Sequence, residues 1–436
     1  MRHIIIGGSA AAISAVEAIR SVDQTSQIDL FTDEETPLFS RVLLPYYIAE
    51  ELSKQLLNFR SLDFFDENNV IAHLGMRVQE ISPDSKTIRT ADGNHYEFDR
   101  LLIATGGVPI IPSIPGMDKE GVSTLKTMAD AERIYNFKAK KAVVIGAGSV
   151  GVEASISLKR RGLKVSLLEQ LGQVLPTVFD EEASSIIRKS IEDRGIEVIT
   201  GEKATAFKGN SHVTSVITAT REIECDMVVV AIGIRPAIEL TENAGIEIGS
   251  LKGIKVNDQM MTNMAGIYAA GDVAETHDIA HDMITINAIW PCAVEQGQMA
   301  GLNMAGKESR YAGSIRMNSI GNFIGHPAIS MGMIRAEAEK AGIEAGEEFQ
   351  EIKNSTKDTY RKLILKDGRI VGAILVGQTQ KAGVIGILLK KRIAVSDYIP
   401  ILMSNSLNFM DVLPLIRRNA DKFTEPEYKE LMDTGL

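Results

Sequence analysis

The 436-residue sequence has few cysteines, few aromatic residues and no excess of positive charge. Its two cysteines, Cys225 and Cys292, share no CxxC spacing, which argues against a disulfide framework, a structural zinc site and a thioredoxin-like pair. No apolar stretch approaches the roughly 18 residues that a membrane-spanning helix needs. Acidic residues outnumber basic ones by 57 to 47. Insertion into a membrane is therefore not predicted. Nucleic acid is not predicted as a partner either, because an anionic partner needs a basic surface.

The first residues, MRHIIIGGSAAA, contain an apolar run that is too short for the central region of a secretory signal peptide. A first β-strand is predicted there instead, and the chain is expected to be cytoplasmic. The chain is also too long for one hydrophobic core, so two or three domains are expected.

A pattern of strand, glycine turn, helix, strand and acidic residue occurs twice, at residues 2–33 and again at residues 140–169. Short β-branched runs that alternate with longer amphipathic segments are typical of parallel α/β units. Near residue 326 the composition changes to β-rich segments, and Asp367-Gly368 marks a hairpin turn. The predicted fold class is α/β, with two Rossmann-like dinucleotide-binding domains and a C-terminal α+β domain. The predicted domains are residues 1–112 with 253–325, residues 113–252, and residues 326–436.

The central glycine motif is the stronger of the two, because Gly146, Gly148 and Gly151 follow an apolar strand and open a helix. The first glycine makes a tight turn, the second admits a pyrophosphate and the third allows close packing. The pyrophosphate would then lie at the helix N-terminus. Glu169 ends the next strand, where a carboxylate can accept hydrogen bonds from ribose hydroxyls and repels a 2′-phosphate. NADH is therefore expected to be preferred over NADPH.

The N-terminal motif is degenerate. Gly7 keeps the tight turn, whereas Ser9 and Ala12 stand at the second and third glycine positions. Ala is an accepted residue at the third position. Asp33 is the predicted ribose acid, with Glu34 as the alternative.

Several further motifs follow in order: the Ala104-Thr105-Gly106 turn, Glu153 after the central glycines, AIGIRP around Gly233, GIYAAGD, and WPCAVEQG at 290–297. With them the chain resembles the FAD-dependent pyridine nucleotide-disulfide oxidoreductase superfamily over nearly its whole length. The resemblance implies FAD in the first domain, NAD(H) in the second, and a C-terminal interface domain. A homodimer, or a subunit docked in a larger complex, is expected from that interface domain.

The resemblance also implies the cofactor contacts. Asp272 would bond the flavin ribitol, Glu153 would lie beside the nicotinamide, and a helix that begins near Ala293 would point its N-terminus at the flavin pyrimidine. The implied FAD residues are Gly7, Ser9, Ala10, Ala11, Asp33, Glu34, Arg41, Val78, Ala104, Thr105, Gly106, Gly271, Asp272 and Ala293. The implied NAD residues are Gly146, Gly148, Ser149, Val150, Gly151, Glu153, Glu169 and Gly233.

The sequence departs from the disulfide-reducing members at residues 36–48, TPLFSRVLLPYYI. Val42 and Leu43 stand where those members carry Cys-Gly, so a thiol relay beside the flavin is not expected. The segment resembles a cysteine-free branch that includes nitrite reductase flavin domains, rubredoxin and ferredoxin reductases, and NADH-oxidising subunits of iron–sulfur complexes such as phenylglyoxylate dehydrogenase. Arg41 would lie by the cofactor, and Tyr46 would replace a lysine near flavin N5. Glu153 and Tyr46 are the candidate catalytic side chains.

The predicted function is an NADH-dependent flavoprotein oxidoreductase that exchanges electrons, in either direction, with an iron–sulfur or rubredoxin-like protein or subunit. Two alternatives stay open: a self-sufficient NADH oxidase that reduces O₂, and a non-catalytic flavoprotein that changes partners when NADH reduces it.

Three further features of the sequence are given structural interpretations. No metal site is predicted, although His277 and His281 would share one face if they lay on a helix. Cys292 is interpreted as a small apolar core residue. The run Lys390-Lys391-Arg392 is interpreted as a solvated helix face that could otherwise dock an acidic electron carrier.

Overall fold

A computed structural model describes residues 1–36, 38–321, 324–335 and 349–434 of the chain. The predicted α/β class is confirmed, with two parallel five-stranded sheets and a third, antiparallel one. Among the described residues, no helix is both long and apolar enough to cross a bilayer.

The first unit begins with the predicted N-terminal strand. Its elements are β1 (Arg2–Ile6), α1 (Ala10–Val22), β2 (Gln27–Phe31), α2 (Leu44–Ile48), α3 (Phe64–Glu67), β3 (Val70–His73), β4 (Val78–Ser82), β5 (Thr87–Thr90), β6 (His95–Glu97), β7 (Arg100–Ile103) and β8 (Gly107–Pro109). Strands β4, β5 and β6 form a separate antiparallel meander.

The second unit repeats this plan. Its elements are β9 (Val122–Thr124), α4 (Met128–Asn136), β10 (Lys141–Ile145), α5 (Ser149–Arg160), β11 (Lys164–Glu169), α6 (Glu181–Glu192), β12 (Glu197–Thr200), β13 (Ala206–Lys208), β14 (Ser215–Ile217), β15 (Glu222–Glu224), β16 (Met227–Val230) and β17 (Ile234–Pro236). Its parallel sheet has the order β12-β11-β10-β16-β9, and β13 to β15 form its meander.

The chain then returns to the first unit through β18 (Ile254–Lys255), β19 (Ile267–Ala269), β20 (Ala274–Asp278), β21 (Met283–Thr285) and α7 (Trp290–Met304). Strand β19 pairs with β7 and completes the first sheet in the order β19-β7-β1-β2-β3. Helix α7 packs against α1 so closely that a Cβ on Gly297 would lie 2.1 Å from the carbonyl oxygen of Ala11.

The C-terminal part contains β22 (Met317–Ile320), β23 (Ala328–Gly332), β24 (Phe349–Ser355), β25 (Tyr360–Lys366), β26 (Arg369–Val376), α8 (Ala382–Lys390), α9 (Ile399–Leu402), α10 (Phe409–Arg418) and α11 (Glu425–Thr434). The turn between β25 and β26 is the predicted one, since Asp367 and Gly368 both have positive φ, at 50° and 68°. The antiparallel sheet already starts at Met317, ahead of the predicted boundary at 326.

Short 3₁₀ helices lie at Arg41–Leu43, Lys54–Leu57, Glu239–Thr241, Ser396–Tyr398 and Ala420–Lys422.

The hydrophobic cores do not coincide with the three parts of the chain, because one core contains residues from two parts. One core fills the first unit, and another fills the C-terminal part around Leu363 and Ile385. A third core joins apolar residues of the second unit, such as Leu175 and Phe179, to Tyr360 and Ile374 of the C-terminal sheet. The second unit and the C-terminal sheet are therefore packed together by shared apolar burial.

Candidate functional site

A cavity of about 1560 Å³ lies along the carboxyl-terminal edges of both parallel sheets. The last residues of β1, β2, β10 and β16 line it, and these are Ile6, Phe31, Ile145 and Val230. Ligands of open α/β sheets bind at this edge, because the strand ends and helix N-termini face it. The two repeated units thus meet over one shared space.

Most residues predicted to contact a dinucleotide line this cavity. On the first unit they are Gly7, Ser9, Ala10, Ala11, Asp33, Glu34, Arg41, Val78, Ala104, Thr105, Gly106, Gly271, Asp272 and Ala293. On the second unit they are Gly146, Gly148, Ser149, Val150, Glu153, Glu169 and Gly233. Gly151 and Tyr46 do not line it.

The first glycine of each motif is required by its backbone and by a close neighbour. Gly7 has φ of 132°, and a Cβ there would lie 2.2 Å from the carbonyl oxygen of Ala104. Gly146 has φ of 98°, and its Cβ would lie 2.5 Å from the carbonyl oxygen of Ala231. Both turns are therefore closed to other residues.

Three helices point N-termini without a side-chain cap at the cavity. Helix α1 begins after Ser9, α5 after Gly148 and α7 after Ile289, and no side-chain cap bonds the first turn of any of them. By contrast, Asp180 caps α6 through a hydrogen bond to the backbone N–H of Ala183. The free N–H groups and the helix dipoles favour anionic groups such as pyrophosphates at these ends.

A cluster of charges surrounds the α1 end of the cavity. Arg41 donates from Nη1 to Glu34 Oε1 at 3.0 Å and to the carbonyl oxygen of Lys126 at 2.9 Å. Lys126 also lines the cavity, and burial, together with nearby Arg41, lowers the pKa of its ammonium to about 8. Burial raises the pKa of Asp272 despite the opposing influence of Lys126 and Arg41. A half-buried cation at this end of the cavity suits a phosphate-bearing ligand.

Lys126 was not predicted from the sequence. It follows β9 of the second unit, yet it reaches the charges of the first, and no local motif marks it. Arg316, which lies just before β22, also lines the cavity and was not predicted either.

Glu169 has partners that the sequence did not reveal. Its Oε2 accepts a hydrogen bond from the backbone N–H of Ala147 at 2.7 Å, and its Oε1 accepts one from Leu171 at 2.8 Å. The buried carboxylate therefore ties the glycine turn to the loop after β11. A contact between Glu169 and a ribose stays a prediction.

Glu153 projects into the cavity from the first turns of α5, and burial raises its carboxyl pKa to about 7. Tyr46 was expected near the flavin. Its neighbours Leu44 and Pro45 line the cavity, and Tyr46 packs against the core shared with the C-terminal sheet. A role for Tyr46 beside the flavin stays a prediction.

Both cysteines are buried, and neither is among the described residues that line the cavity. Although α7 begins at the cavity, Cys292 Sγ lies 3.9 Å from the carbonyl oxygen of Ile315. Burial raises the pKa of each thiol to about 12. At neutral pH both are therefore protonated, which is the unreactive form.

The remaining sequence features have structural partners. His277 lies on β20 rather than on a helix and bonds Asp282, while His281 bonds Asp278. The described residues contain no group of side chains suited to hold a metal. In the basic run, Lys390 pairs with Glu295 and Lys391 with Glu427. Those two lysines therefore already have partners within the chain.

Comparison with known proteins matches residues 1–297 to the pyridine nucleotide-disulphide oxidoreductase family and residues 319–393 to the rubredoxin NAD⁺ reductase C-terminal domain. An NADH oxidase of Methanocaldococcus jannaschii is 30% identical, with 91% of this chain and 93% of that protein covered. The NADH-dependent phenylglyoxylate dehydrogenase subunit epsilon of Aromatoleum evansii is 30% identical, with coverage of 90% and 92%. The structure of a NAD-dependent persulfide reductase from A. fulgidus superposes with a TM-score of 0.86 at 26% identity, over 96% of this chain and 84% of that one.

Proposed function

Because this chain belongs to the pyridine nucleotide-disulphide oxidoreductase family and is an NADH-dependent flavoprotein oxidoreductase that binds FAD and NAD(H), we propose that it exchanges electrons with an external redox protein and uses no redox-active cysteine. The observation that carries this proposal is the cavity wall formed by Ser40, Arg41, Val42, Leu44 and Pro45, which contains no thiol. Val42 is half exposed along that wall.

The charges and helix ends of the cavity fit the two dinucleotides. The α1 N-terminus, Arg41 and Lys126 would hold the FAD pyrophosphate, and Asp33 or Glu34 its adenosine ribose. The α5 N-terminus would hold the pyrophosphate of NAD(H), with Glu153 beside the nicotinamide. When bound, FAD supplies two-electron exchange with NADH and one-electron exchange with a partner, chemistry that side chains lack.

The state of the thiols supports a mechanism without cysteine. A relay thiol must reach the cofactor and must ionise near neutral pH. Cys225 and Cys292 are buried and do not line the cavity, and desolvation raises their pKa values to about 12. Electrons would then leave the protein directly from the cofactor.

Two comparisons support a protein partner. The C-terminal part matches a domain named for rubredoxin NAD⁺ reductase, and one relative is named as a subunit of phenylglyoxylate dehydrogenase. A rubredoxin-like or iron–sulfur protein is accordingly the proposed acceptor or donor. The NADH oxidase of M. jannaschii favours reduction of O₂ as the second candidate function.

The test is an anaerobic NADH titration of the FAD-loaded protein, wild type beside Cys292→Ser. We expect flavin bleaching without a long-wavelength thiolate–flavin band, and dye reduction by the variant within a few-fold of wild type. A small packing change of this kind costs about 1 kcal/mol of stability. A thiolate band, or a loss of about a hundredfold (about 2.7 kcal/mol) with flavin still bound, would refute the mechanism. Rapid NADH consumption in air without a partner would identify an oxidase.

A further inference from the structure

A buried polar cluster joins the C-terminal sheet to the start of α6. Asp180 Oδ2 accepts hydrogen bonds from the Tyr360 hydroxyl at 2.7 Å and from Lys362 Nζ at 3.2 Å. Lys362 Nζ also lies 2.9 Å from Glu351 Oε1 and donates to the carbonyl oxygen of Ile334 at 3.2 Å. Asp180, Tyr360 and Lys362, which we call the Asp180 cluster, are all buried.

The cluster ends a segment of the second unit that forms one wall of the cavity. Residues 170–179 run from β11 to α6, and the cavity-lining residues among them are Gln170, Leu171, Pro176, Thr177 and Val178. The backbone N–H of Leu175 donates to the carbonyl oxygen of Ala147 at 2.8 Å. The wall segment is therefore bonded directly to the glycine turn of α5.

A second contact from the C-terminal part reaches the middle of the same segment. Arg335 donates from Nη2 to Gln173 Oε1 at 3.0 Å, and Gln173 Nε2 donates to the carbonyl oxygen of Phe179 at 3.0 Å. Residues 170–179 are thus held from outside their own unit at Gln173 and, just beyond their end, at Asp180.

Buried contacts hold the wall at residues 170–179 more firmly than exposed contacts do. A charge that is removed from water persists only while it is paired, so Asp180 and Lys362 constrain each other strongly. Lys353 and Glu182 form an ion pair between β24 and α6, but their side chains are 54% and 44% exposed. Water screens such a surface pair, and it contributes little. The chain thus offers a buried contact and an exposed control between neighbouring elements.

We propose that the C-terminal domain sets the affinity of the nicotinamide nucleotide site, and that Tyr360 and Lys362 are positioning residues that act through Asp180 on the wall at residues 170–179. The inference rests on the proposed placement of NAD(H) at the α5 glycine turn. A preorganised wall binds without the cost of ordering a loop, so loosening it weakens binding.

The experiment compares Lys362→Met and Tyr360→Phe with the control Lys353→Ala, all in the FAD-loaded full-length protein. For Lys362→Met we expect the Kd of NAD⁺ and the KM of NADH to rise about tenfold, or 1.4 kcal/mol. Its kcat should stay within about twofold and its FAD content unchanged, because no residue of the wall is among the predicted FAD contacts. Tyr360→Phe removes only a hydroxyl, so it should fold and show a smaller rise. Lys353→Ala should match wild type.

Hydrogen exchange separates failure of this inference from failure of the proposed site. In wild type, NAD⁺ should slow amide exchange in residues 146–151 and 170–179, and in Lys362→Met residues 170–179 should exchange faster without ligand. If NAD⁺ protects neither segment of wild type, the placement of the nucleotide is wrong. If NAD⁺ protects wild type and Tyr360→Phe equally, with equal Kd and equal exchange of residues 170–179, the positioning role is refuted.

Discussion

The two dinucleotide-binding units share the order of four strands, β3-β2-β1-β7 and β12-β11-β10-β16, but close their glycine turns differently. In the second unit a Cβ on Gly151 would lie 1.8 Å from the carbonyl oxygen of Gly146, so the third glycine is obligatory. In the first unit the equivalent residue is Ala12, which is fully buried. The second position is open at Gly148, with nothing within 4 Å of an added Cβ, and it is Ser9 in the first unit.

The comparison shows that a glycine motif with fewer glycines can still form the same turn between strand and helix. Residues that depart from the glycine pattern stand where the first unit has room for a side chain. The first position has no room for a side chain in either unit, and it is glycine in both, as Gly7 and Gly146. The spacing of forced positions therefore says more about a dinucleotide fold than the number of glycines does.

Replacing each forced glycine should separate the two units most sharply. Gly7→Val should yield protein without bound flavin, because its side chain would collide with the backbone of Ala104. Gly146→Val should keep the flavin yet lose reduction by NADH, while dithionite still bleaches it. Absorbance of the purified proteins and anaerobic NADH mixing measure both effects. Retention of FAD by Gly7→Val would show that the first unit is misassigned.

Exchanging glycine and alanine at the third position of each motif should have smaller effects, and the two effects should differ. Gly151→Ala forces the helix away from its turn, and overpacking of this kind costs about 1–3 kcal/mol. We expect its KM for NADH to rise about tenfold with FAD retained. Ala12→Gly should lower the free energy of unfolding by about 1 kcal/mol, the usual cost of glycine within a helix. Denaturant unfolding and steady-state kinetics provide the measurements, and equal effects would remove the distinction between the units.

Lys126 belongs to the second unit by sequence but should serve the first. Lys126→Met is expected to weaken FAD binding by about 1.5–3 kcal/mol, as for a lost hydrogen bond to a charged group. Burial lowers the pKa of Lys126 to about 8 in the protein without ligand. FAD affinity of wild type should therefore fall as the pH rises above 8, where the cation is lost, and affinity of the variant should not. Titration of apoprotein with FAD at pH 7 and pH 9 tests both expectations. A pH-independent wild type would show that Lys126 does not contact the cofactor.

Replacing Glu169 should have the smallest effect on nucleotide binding by the second unit. Glu169→Ala should narrow the preference for NADH over NADPH by about 1–3 kcal/mol if the carboxylate also accepts from ribose. Since Glu169 also binds the N–H groups of Ala147 and Leu171, the variant should lose some affinity for both nucleotides. Glu169→Gln keeps an acceptor and serves as the milder comparison. Equal kcat/KM for NADH and NADPH in wild type would rule out the assigned role.

Local patterns were enough to predict the α/β class, both glycine turns and the Asp367-Gly368 hairpin. They succeed because turn chemistry and strand periodicity act within a few residues. Lys126 and Arg316 escaped prediction because tertiary packing alone brings them to the cavity. Tyr46 was placed near the flavin by analogy of spacing, which fixes position along the chain but not direction around a helical turn, so that placement stays a prediction. The partners of Glu169 are backbone groups, which carry no sequence signal.

The return of the chain to its first sheet has a consequence for biosynthesis. Strand β19 and helix α7 are made only after residues 122–236, which hold every strand and helix of the second unit. When residue 240 has emerged from the ribosome, the second unit has all its strands. The first unit still lacks its edge strand β19 and helix α7, which packs against α1. Pairing across such long sequence separations is slow, and open sheet edges invite association. We expect the first unit, residues 1–109, to be the part of the newborn chain that most needs a chaperone, although it is synthesised first.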